Sequence, residues 1–290
     1  MGLKKSKPQP IPDFERPWRV MDWNEKEHLE AKLRNIQLNH PELRCVRILL
    51  HGPVGAGKSC FINSVQSVFH GEIKTKAFEQ ANAKKSCTKT YKAYTITNRN
   101  HETLPFVLND IMGLEQNDED GIHPDDVVNA LLGHIKDGYK FNPVSPLSEE
   151  DPGYIREPRL KDKVHCLVSV VPASSISRMD IGVIKKMEVV RKKAMSLGIP
   201  HVIVMTKVDD DVCPLVNRDL NQIYRSRKIK EKMQICSNTL GPPMKCIFPV
   251  SNYHEENNMN NTKDVLVLTA LLQIVKFAKD YVEQYHTTHE

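Results

Sequence analysis

The chain lacks several features that would place it in a particular class of protein. Its 290 residues contain no apolar run of 18 or more, so no segment is predicted to span a membrane. The N-terminus has no apolar stretch resembling a secretory signal, which predicts a cytoplasmic location. The seven cysteines include no C-x-x-C pair. Buried reduced thiols are therefore favoured over disulfides or a zinc site.

Aromatic residues and net charge are also limited. Aromatic residues make up 6% of the chain, and the formal net charge is only +5. The densest basic cluster lies between residues 225 and 232 and contains no aromatic residue. It is predicted to be a solvated helix face, and no nucleic-acid partner is expected. With 40% apolar residues, the chain can still bury a sizeable core.

What the chain does contain is a phosphate-binding motif. The segment Gly52-Pro53-Val54-Gly55-Ala56-Gly57-Lys58-Ser59 fits G-x-x-x-x-G-K-[ST]. An apolar strand pattern precedes it, and an apolar helical pattern beginning at Cys60 follows, which is the context that the motif requires. Backbone N–H groups from Gly52 to Cys60 would surround phosphate oxygens. Lys58 would reach the β- and γ-phosphates, and the Ser59 hydroxyl would ligate Mg²⁺.

A second motif, Asp110-Ile111-Met112-Gly113, lies at the C-terminal end of a predicted strand. Asp110 would face the Mg²⁺ ion held by Ser59, and Gly113 would offer its N–H to a γ-phosphate. Between the two motifs, Thr88 is a candidate to close on Mg²⁺ and to assist Lys58 in catalysis. Thr90 is the alternative, although it borders the next strand.

The third group of candidate residues would contact the nucleotide base. Thr206-Lys207-Val208-Asp209 directly follows a buried strand, at the rim where α/β sheets bind ligands. Guanine presents N1–H and its N2 amine side by side, so Asp209 could accept both while the Lys207 stem lies against the ring. Adenine offers no such pair of donors. Ser251 and Asn252 end another strand at the same rim, where backbone amides would reach the base O6.

Strand and helix patterns alternate along most of the chain. They predict an α/β three-layer sandwich, with a mostly parallel sheet covered by helices on both faces. We expect a mobile basic and proline-rich tail at 1–17, a helical extension at 18–44 and the main domain at 45–290. A surface insertion is predicted at 138–163, and the segment 219–236 is predicted to be polar and helical.

The three motifs, in this order, resemble those of the guanine-nucleotide-binding P-loop GTPases. More narrowly, the chain resembles the interferon-induced protein 44 and 44-like family from Pro17 onward. The stretches that carry this resemblance include Pro17-Trp18-Arg19, Asp22-Trp23-Asn24, Val46-Arg47-Ile48-Leu49-Leu50, Leu104-Pro105-Phe106, Tyr139-Lys140-Phe141-Asn142-Pro143, Val250-Ser251-Asn252-Tyr253 and Lys263-Asp264-Val265-Leu266.

The resemblance implies a P-loop GTPase-like fold and a cytoplasmic GTP-binding protein of interferon-driven innate immunity. Three departures from it stand out. Longer relatives carry a TLDc-type domain where this chain has a short tail. Leu114 stands where efficient GTPases place a water-orienting glutamine, and Gln116 is out of register. Thr206 replaces the commoner asparagine.

The sequence leaves three functions open. The chain could be a slow GTPase or GTP/GDP switch whose loops around Thr88 and 114–120 report the bound nucleotide to an unidentified protein partner. It could also be a catalytically inert scaffold that GDP or GTP stabilises. An ATPase or kinase is the third alternative, and Asp209 argues against it. The oligomeric state is not fixed by any of these features.

The first residues, Met1-Gly2-Leu3-Lys4-Lys5-Ser6, match the pattern for N-myristoylation of Gly2. One acyl chain holds a protein to a bilayer only marginally, and the nearby lysines would add attraction to an anionic surface. An unmodified flexible tail is the alternative. The sequence thus leaves open a weak membrane association through Gly2.

Overall fold

A six-stranded sheet lies at the centre of the structure, a computed structural model that describes residues 13–75, 77, 89–117, 119–210 and 213–289. Its strands lie in the order β2-β3-β1-β4-β5-β6. The strands β2 and β3 are antiparallel, and every other neighbouring pair is parallel. The bounds are β1 (Val46–His51), β2 (Lys92–Thr97), β3 (Thr103–Asp110), β4 (Cys166–Pro172), β5 (His201–Thr206) and β6 (Ile247–Pro249).

Helices cover both faces of this sheet. The helices α1, α2 and α7 pack on one face, and α3, α4 and α6 pack on the other. This arrangement confirms the predicted three-layer α/β fold of the P-loop GTPase type. The helix bounds are α1 (Lys26–Arg34), α2 (Lys58–His70), α3 (Pro124–Leu132), α4 (Ile181–Ser196), α5 (Pro214–Arg218), α6 (Arg227–Leu240) and α7 (Asn261–His289). None of the described helices combines the length and apolar content needed to cross a membrane.

The sheet has a hydrophobic core on each face, because side chains point alternately to the two faces along the central strands. On β4, Leu167 and Val171 belong to the core beneath α3, α4 and α6, whereas Val168 and Val170 belong to the core beneath α1, α2 and α7. Successive strand residues point to opposite faces, so a strand that is apolar throughout fits only between two helical layers. The continuous apolar runs in the sequence therefore specify where the sheet lies.

The segment predicted to be polar and helical at 219–236 is helical, but it is divided into two helices. A 3-10 helix at Leu220–Arg225 is followed by α6, which begins only at Arg227. Ser226 separates the two, because its hydroxyl accepts a hydrogen bond from the Ile229 N–H at 3.2 Å. A serine side chain that satisfies an N–H group of the first turn favours a new helix start at that point.

Part of the predicted tail is docked on the main domain. The Phe14 N–H donates to the Arg225 carbonyl at 2.9 Å, and the Trp18 N–H donates to the Tyr224 carbonyl at 3.0 Å. The Arg227 guanidinium lies 4.0 Å from the centre of the Phe14 ring. The basic cluster at 225–232 is thus partly covered by an aromatic residue from far away in the sequence.

The segment 138–163 is anchored at several points. The side chains of Phe141 and Leu147 are buried, and the Leu147 N–H donates to the Asp126 carboxylate at 2.7 Å. Burial of that carboxyl raises the pKa of Asp126 to about 6, although the hydrogen bond from Leu147 opposes the shift. Two other predictions, for Gly2 and Thr88, concern residues outside the described ranges.

We expect Val204→Ala to lower the free energy of unfolding by about 2 kcal/mol. Val204 is fully buried in the middle of β5, whereas Val20, the matched control, is 89% exposed. Chemical denaturation of both variants tests this placement. Equal losses for Val204→Ala and Val20→Ala would contradict it.

Candidate nucleotide-binding site

The phosphate-binding motif connects the end of β1 to the start of α2. Gly52 has a φ of 147°, and a Cβ atom there would lie 2.2 Å from the Val170 carbonyl oxygen. Gly57 has a φ of 91° and is the N-cap of α2, in the left-handed region. Only glycine adopts both conformations without strain. These glycines press the loop against β4 and aim the first N–H groups of α2 into it.

Lys58 lies folded over the loop. Its buried ammonium group donates to the carbonyl oxygens of Gly52 at 3.3 Å and Pro53 at 3.2 Å. Burial lowers the pKa of Lys58, and the nearby carboxylates of Asp110 and Glu115 oppose this shift. The ammonium is thus held at the loop on backbone acceptors, from which a bound phosphate could draw it.

Ser59 and Asp110 meet beside the loop, although 51 residues separate them. The Ser59 hydroxyl donates to the Asp110 carboxylate at 2.6 Å, and Asp110 is fully buried at the end of β3. A hydroxyl and a carboxylate are the hard oxygen ligands that Mg²⁺ prefers. The described residues contain no cluster of three or more His, Cys, Asp or Glu side chains suited to a metal. Ser59 and Asp110 together would therefore fit a Mg²⁺ ion whose other ligands include phosphate oxygens.

The Asp110–Gly113 motif is attached to the phosphate loop by its backbone. The Leu114 N–H donates to the Gly52 carbonyl at 3.0 Å, and the Val54 N–H donates to the Leu114 carbonyl at 3.1 Å. A Cβ atom on Gly113 would lie 2.8 Å from the Val54 nitrogen, so glycine is required for this approach. The Leu114 side chain is buried, which leaves no polar side chain at the residue after the motif.

On the base side, Thr206 contacts the phosphate loop. Its buried hydroxyl donates to the Ala56 carbonyl at 2.6 Å, and Lys207 follows with a φ of 56°. The Asn252 amide donates to the Gly57 carbonyl at 3.3 Å. The Asn252 Oδ1 atom is buried and has no hydrogen-bond partner among the described residues. Thr206 and Asn252 therefore join the two halves of the candidate site.

The Asp209 carboxylate is oriented by two donors on the same oxygen. The Ser251 hydroxyl donates to Oδ2, and the Lys263 ammonium donates to the same atom at 3.3 Å. The Asp209 side chain keeps 33% of its surface exposed. The protein thus fixes Oδ2 of Asp209, while part of the carboxylate stays exposed at the rim of the sheet.

Three further groups near the site were missed in the sequence analysis. Lys263 is the first. Lys186 of α4 is the second, and it donates to the carbonyl oxygens of Glu115 at 2.9 Å, Asn117 at 3.3 Å and Gln116 at 3.4 Å. No motif assigns a role to either lysine, because Lys263 reaches Asp209 across 54 residues and Lys186 reaches Glu115 across 71.

The third group is a row of three polar side chains behind the loop, of which His51 and Ser169 are buried and His201 is partly buried. The Ser169 hydroxyl lies 2.7 Å from the Nε2 atoms of both His51 and His201. Burial lowers the pKa of His51 far below its ordinary value, and the charges of His201 and Lys58 would add to this shift. Burial lowers the pKa of His201 to about 3. Both rings are therefore neutral near pH 7.

Comparisons with known proteins identify relatives of this chain. No protein-family model matches the chain. Human interferon-induced protein 44-like is 36% identical over 264 residues, which are 89% of this chain and 58% of that protein. Human interferon-induced protein 44 is 35% identical over 259 residues, again 89% of this chain and 58% of that protein.

Solved structures include a crystal structure of a probable GTP-binding protein engB. It is 12% identical, with a TM-score of 0.43, and the match covers 82% of this chain and all of that one. Because this TM-score is below 0.5, the fold assignment rests on the sheet order and the phosphate loop.

The sheet order, the phosphate loop and the Ser59–Asp110 pair define a P-loop domain of the GTPase type. The chain spans 58% of the length of the two human relatives. Over the region that it shares with them, the chain belongs to the interferon-induced protein 44 and 44-like family. This confirms the resemblance that the sequence motifs indicated.

We expect Gly52→Ala to destabilise the protein much more than Gly138→Ala. Both positions have a positive φ, but only Gly52 would place its Cβ against a backbone atom, while nothing lies within 4 Å at Gly138. The control should cost about 1 kcal/mol of unfolding free energy, and Gly52→Ala several times more. Thermal and chemical denaturation measure both. Similar losses would show that the loop does not press on β4.

Proposed function

We propose that this protein binds GTP and GDP together with Mg²⁺, and that it acts as a slow GTPase or nucleotide switch. The observation that carries the proposal is the Asp209 carboxylate, fixed by Ser251 at the rim of the sheet that also carries the phosphate loop. The hydrogen bond from Thr206 to Ala56 connects the two ends of this site. A nucleotide laid along the rim would contact both.

The phosphate end would bind the anionic part of the nucleotide. Loop amides from Gly52 to Cys60, with the N-terminus of α2, would surround the phosphate oxygens. Lys58 would exchange its two carbonyl acceptors for phosphate oxygens. Ser59, Asp110 and Thr88 would hold Mg²⁺, which would neutralise charge on the phosphates. Gly113 would add an N–H near the terminal phosphate.

The base end would select guanine. Asp209 would accept N1–H and the N2 amine, Lys207 would lie against the ring, and the backbone of Ser251 and Asn252 would approach O6. Guanine offers two adjacent donors to the carboxylate, whereas adenine would leave it unpaired. Thr206 would act on the base indirectly, through its bond to the loop.

We expect slow hydrolysis because the residue after Gly113 is an apolar leucine. The buried Leu114 side chain cannot orient an attacking water, and Lys58 and Thr88 are the remaining catalytic candidates. The same observation favours a second function, a catalytically inert scaffold that guanine nucleotide stabilises. Single-turnover hydrolysis of GTP separates the two, because the scaffold would release no phosphate.

The names of the relatives support a role in the interferon response. We also propose that the protein acts in the cytoplasm. An unidentified protein would then respond to the loop at 114–120, where Lys186 of α4 donates to the carbonyl oxygens of residues 115–117. Release of these carbonyl contacts would change the surface that such a partner meets.

We expect the native protein to bind GDP and GTP far more tightly than ADP and ATP. Asp209→Asn should weaken guanine nucleotides about 100-fold and improve binding of xanthine nucleotides, because the amide replaces one acceptor by a donor. Titration calorimetry with the four purine nucleotides and XDP measures both effects. Asp210→Asn, at the neighbouring exposed carboxylate, is the control. Equal affinity of the native protein for ADP and GDP would contradict guanine selection.

We expect Lys58→Ala to abolish tight binding of GDP and GTP, since the phosphates lose their buried cation. Ser59→Asn should instead favour GDP over GTP, because it spoils a Mg²⁺ ligand that matters most with a γ-phosphate. Lys92→Ala, at an exposed lysine on β2, is the control. Fluorescent-nucleotide titration with and without Mg²⁺ measures each variant. Native affinity in both site variants would exclude the phosphate loop as the binding site.

A further inference from the structure

Lys263 lies directly behind the candidate base-binding residues. It belongs to the first turn of α7, and its side chain is only 12% exposed. Its ammonium donates to Asp209 Oδ2 at 3.3 Å, to the Asn252 carbonyl at 3.1 Å and to the Glu256 carboxylate. One cation thus contacts two separate segments of the candidate base site, at Asp209 and Asn252, and a second carboxylate, Glu256, beside them.

Helix electrostatics do not account for this placement. The N-terminal turn of a helix carries partial positive charge, which disfavours a lysine there. Asp209 and Glu256 offset that cost by direct contact. Burial would raise the pKa of Glu256, but hydrogen bonds from the His254 N–H and Lys263 outweigh it and lower this pKa to about 2. Lys263 therefore brings one ammonium group into contact with two carboxylates, and it helps to lower the pKa of Glu256.

Other charged groups surround this cluster but do not replace the lysine. Lys207 and Asp210 flank Asp209 along the loop after β5. Asp264, the next residue on α7, pairs instead with Lys26 of α1 at 2.6 Å and accepts a hydrogen bond from the Tyr253 hydroxyl at 2.6 Å. Among the described residues, Lys263 is the only cation within ion-pair distance of the Asp209 carboxylate.

We propose that Lys263 is a positioning residue for base recognition. Together with Ser251, it anchors Oδ2 of Asp209 and so sets the direction in which the carboxylate faces the base. Its bond to the Asn252 carbonyl fixes the distance between the two base-contacting segments. This inference rests on the proposed guanine-nucleotide binding and deepens it, because it assigns the orientation of Asp209 to a charge on α7.

The charge of Lys263 is what matters in this arrangement. Without it, Asp209 and Glu256 would be like charges in close proximity, and either would take up a proton more readily. A protonated Asp209 keeps one acceptor and gains a donor, which suits the guanine N1–H and N2 amine poorly. The loss of affinity should therefore grow as the pH falls.

The test compares Lys263→Met, Lys263→Gln and Lys263→Arg with a matched control, Lys276→Met, at an exposed lysine on the same helix. GDP affinity is titrated between pH 5 and pH 8, and circular dichroism verifies folding of each variant. We expect the Met and Gln variants to bind GDP about tenfold more weakly at pH 7. Their affinity should also decline at a higher pH than that of the native protein. The Arg and Lys276→Met variants should stay within about threefold of native.

A second substitution separates charge from packing. Adding Glu256→Gln to Lys263→Met removes the uncompensated carboxylate and should restore part of the affinity and the native pH profile. A merely structural lysine would show neither the pH shift nor this rescue. If the Met variant does not fold, the Gln variant and its Glu256→Gln double variant carry the same comparison.

The outcomes are distinct. Native GDP affinity and an unchanged pH profile in the Met and Gln variants would overturn the role of Lys263 and leave the proposed function intact. Tighter GDP binding in these variants would overturn it as well, because Lys263 would then compete with the base. A native protein that binds no guanine nucleotide would overturn the proposed function, and this inference with it.

Discussion

The hydrogen bond from the Thr206 hydroxyl to the Ala56 carbonyl is the contact on which the candidate site depends. It is short, fully buried and joins β5 to the phosphate loop, 150 residues earlier in the chain. A buried hydroxyl without its acceptor is costly, so this bond fixes the loop against the strand that carries Asp209. The common asparagine at this position would be larger. Threonine makes this connection with its single hydroxyl oxygen.

The fold could be largely predicted from the sequence because its signals are local. Apolar strand patterns, the glycine-rich loop and the turn between β2 and β3 each depend on residues close together in the chain. The phosphate-side candidates Lys58 and Ser59 are fixed by such a local motif, and the structure brings Ser59 to Asp110 as the motif implied.

Other contacts could not be predicted, because they depend on how distant elements pack. Lys263 reaches Asp209 across 54 residues, and Phe14 covers Arg227 from the opposite end of the chain. Neither pair belongs to a recurring spacing. The break at Ser226 was missed for a different reason: a serine within a polar helical pattern also fits a helix interior, and only its bond to the Ile229 N–H reveals the cap.

The row formed by His51, Ser169 and His201 has a consequence for the placement of protons inside the sheet. A serine hydroxyl has one hydrogen to donate, yet both ring nitrogens lie 2.7 Å from it. Ser169 can therefore donate to one neutral ring and accept from the other, so the two histidines must be opposite tautomers. If one ring changes tautomer, the hydroxyl must rotate and the other ring must change too. Two strands on either side of β4 thereby share one two-state proton arrangement, directly behind the phosphate loop.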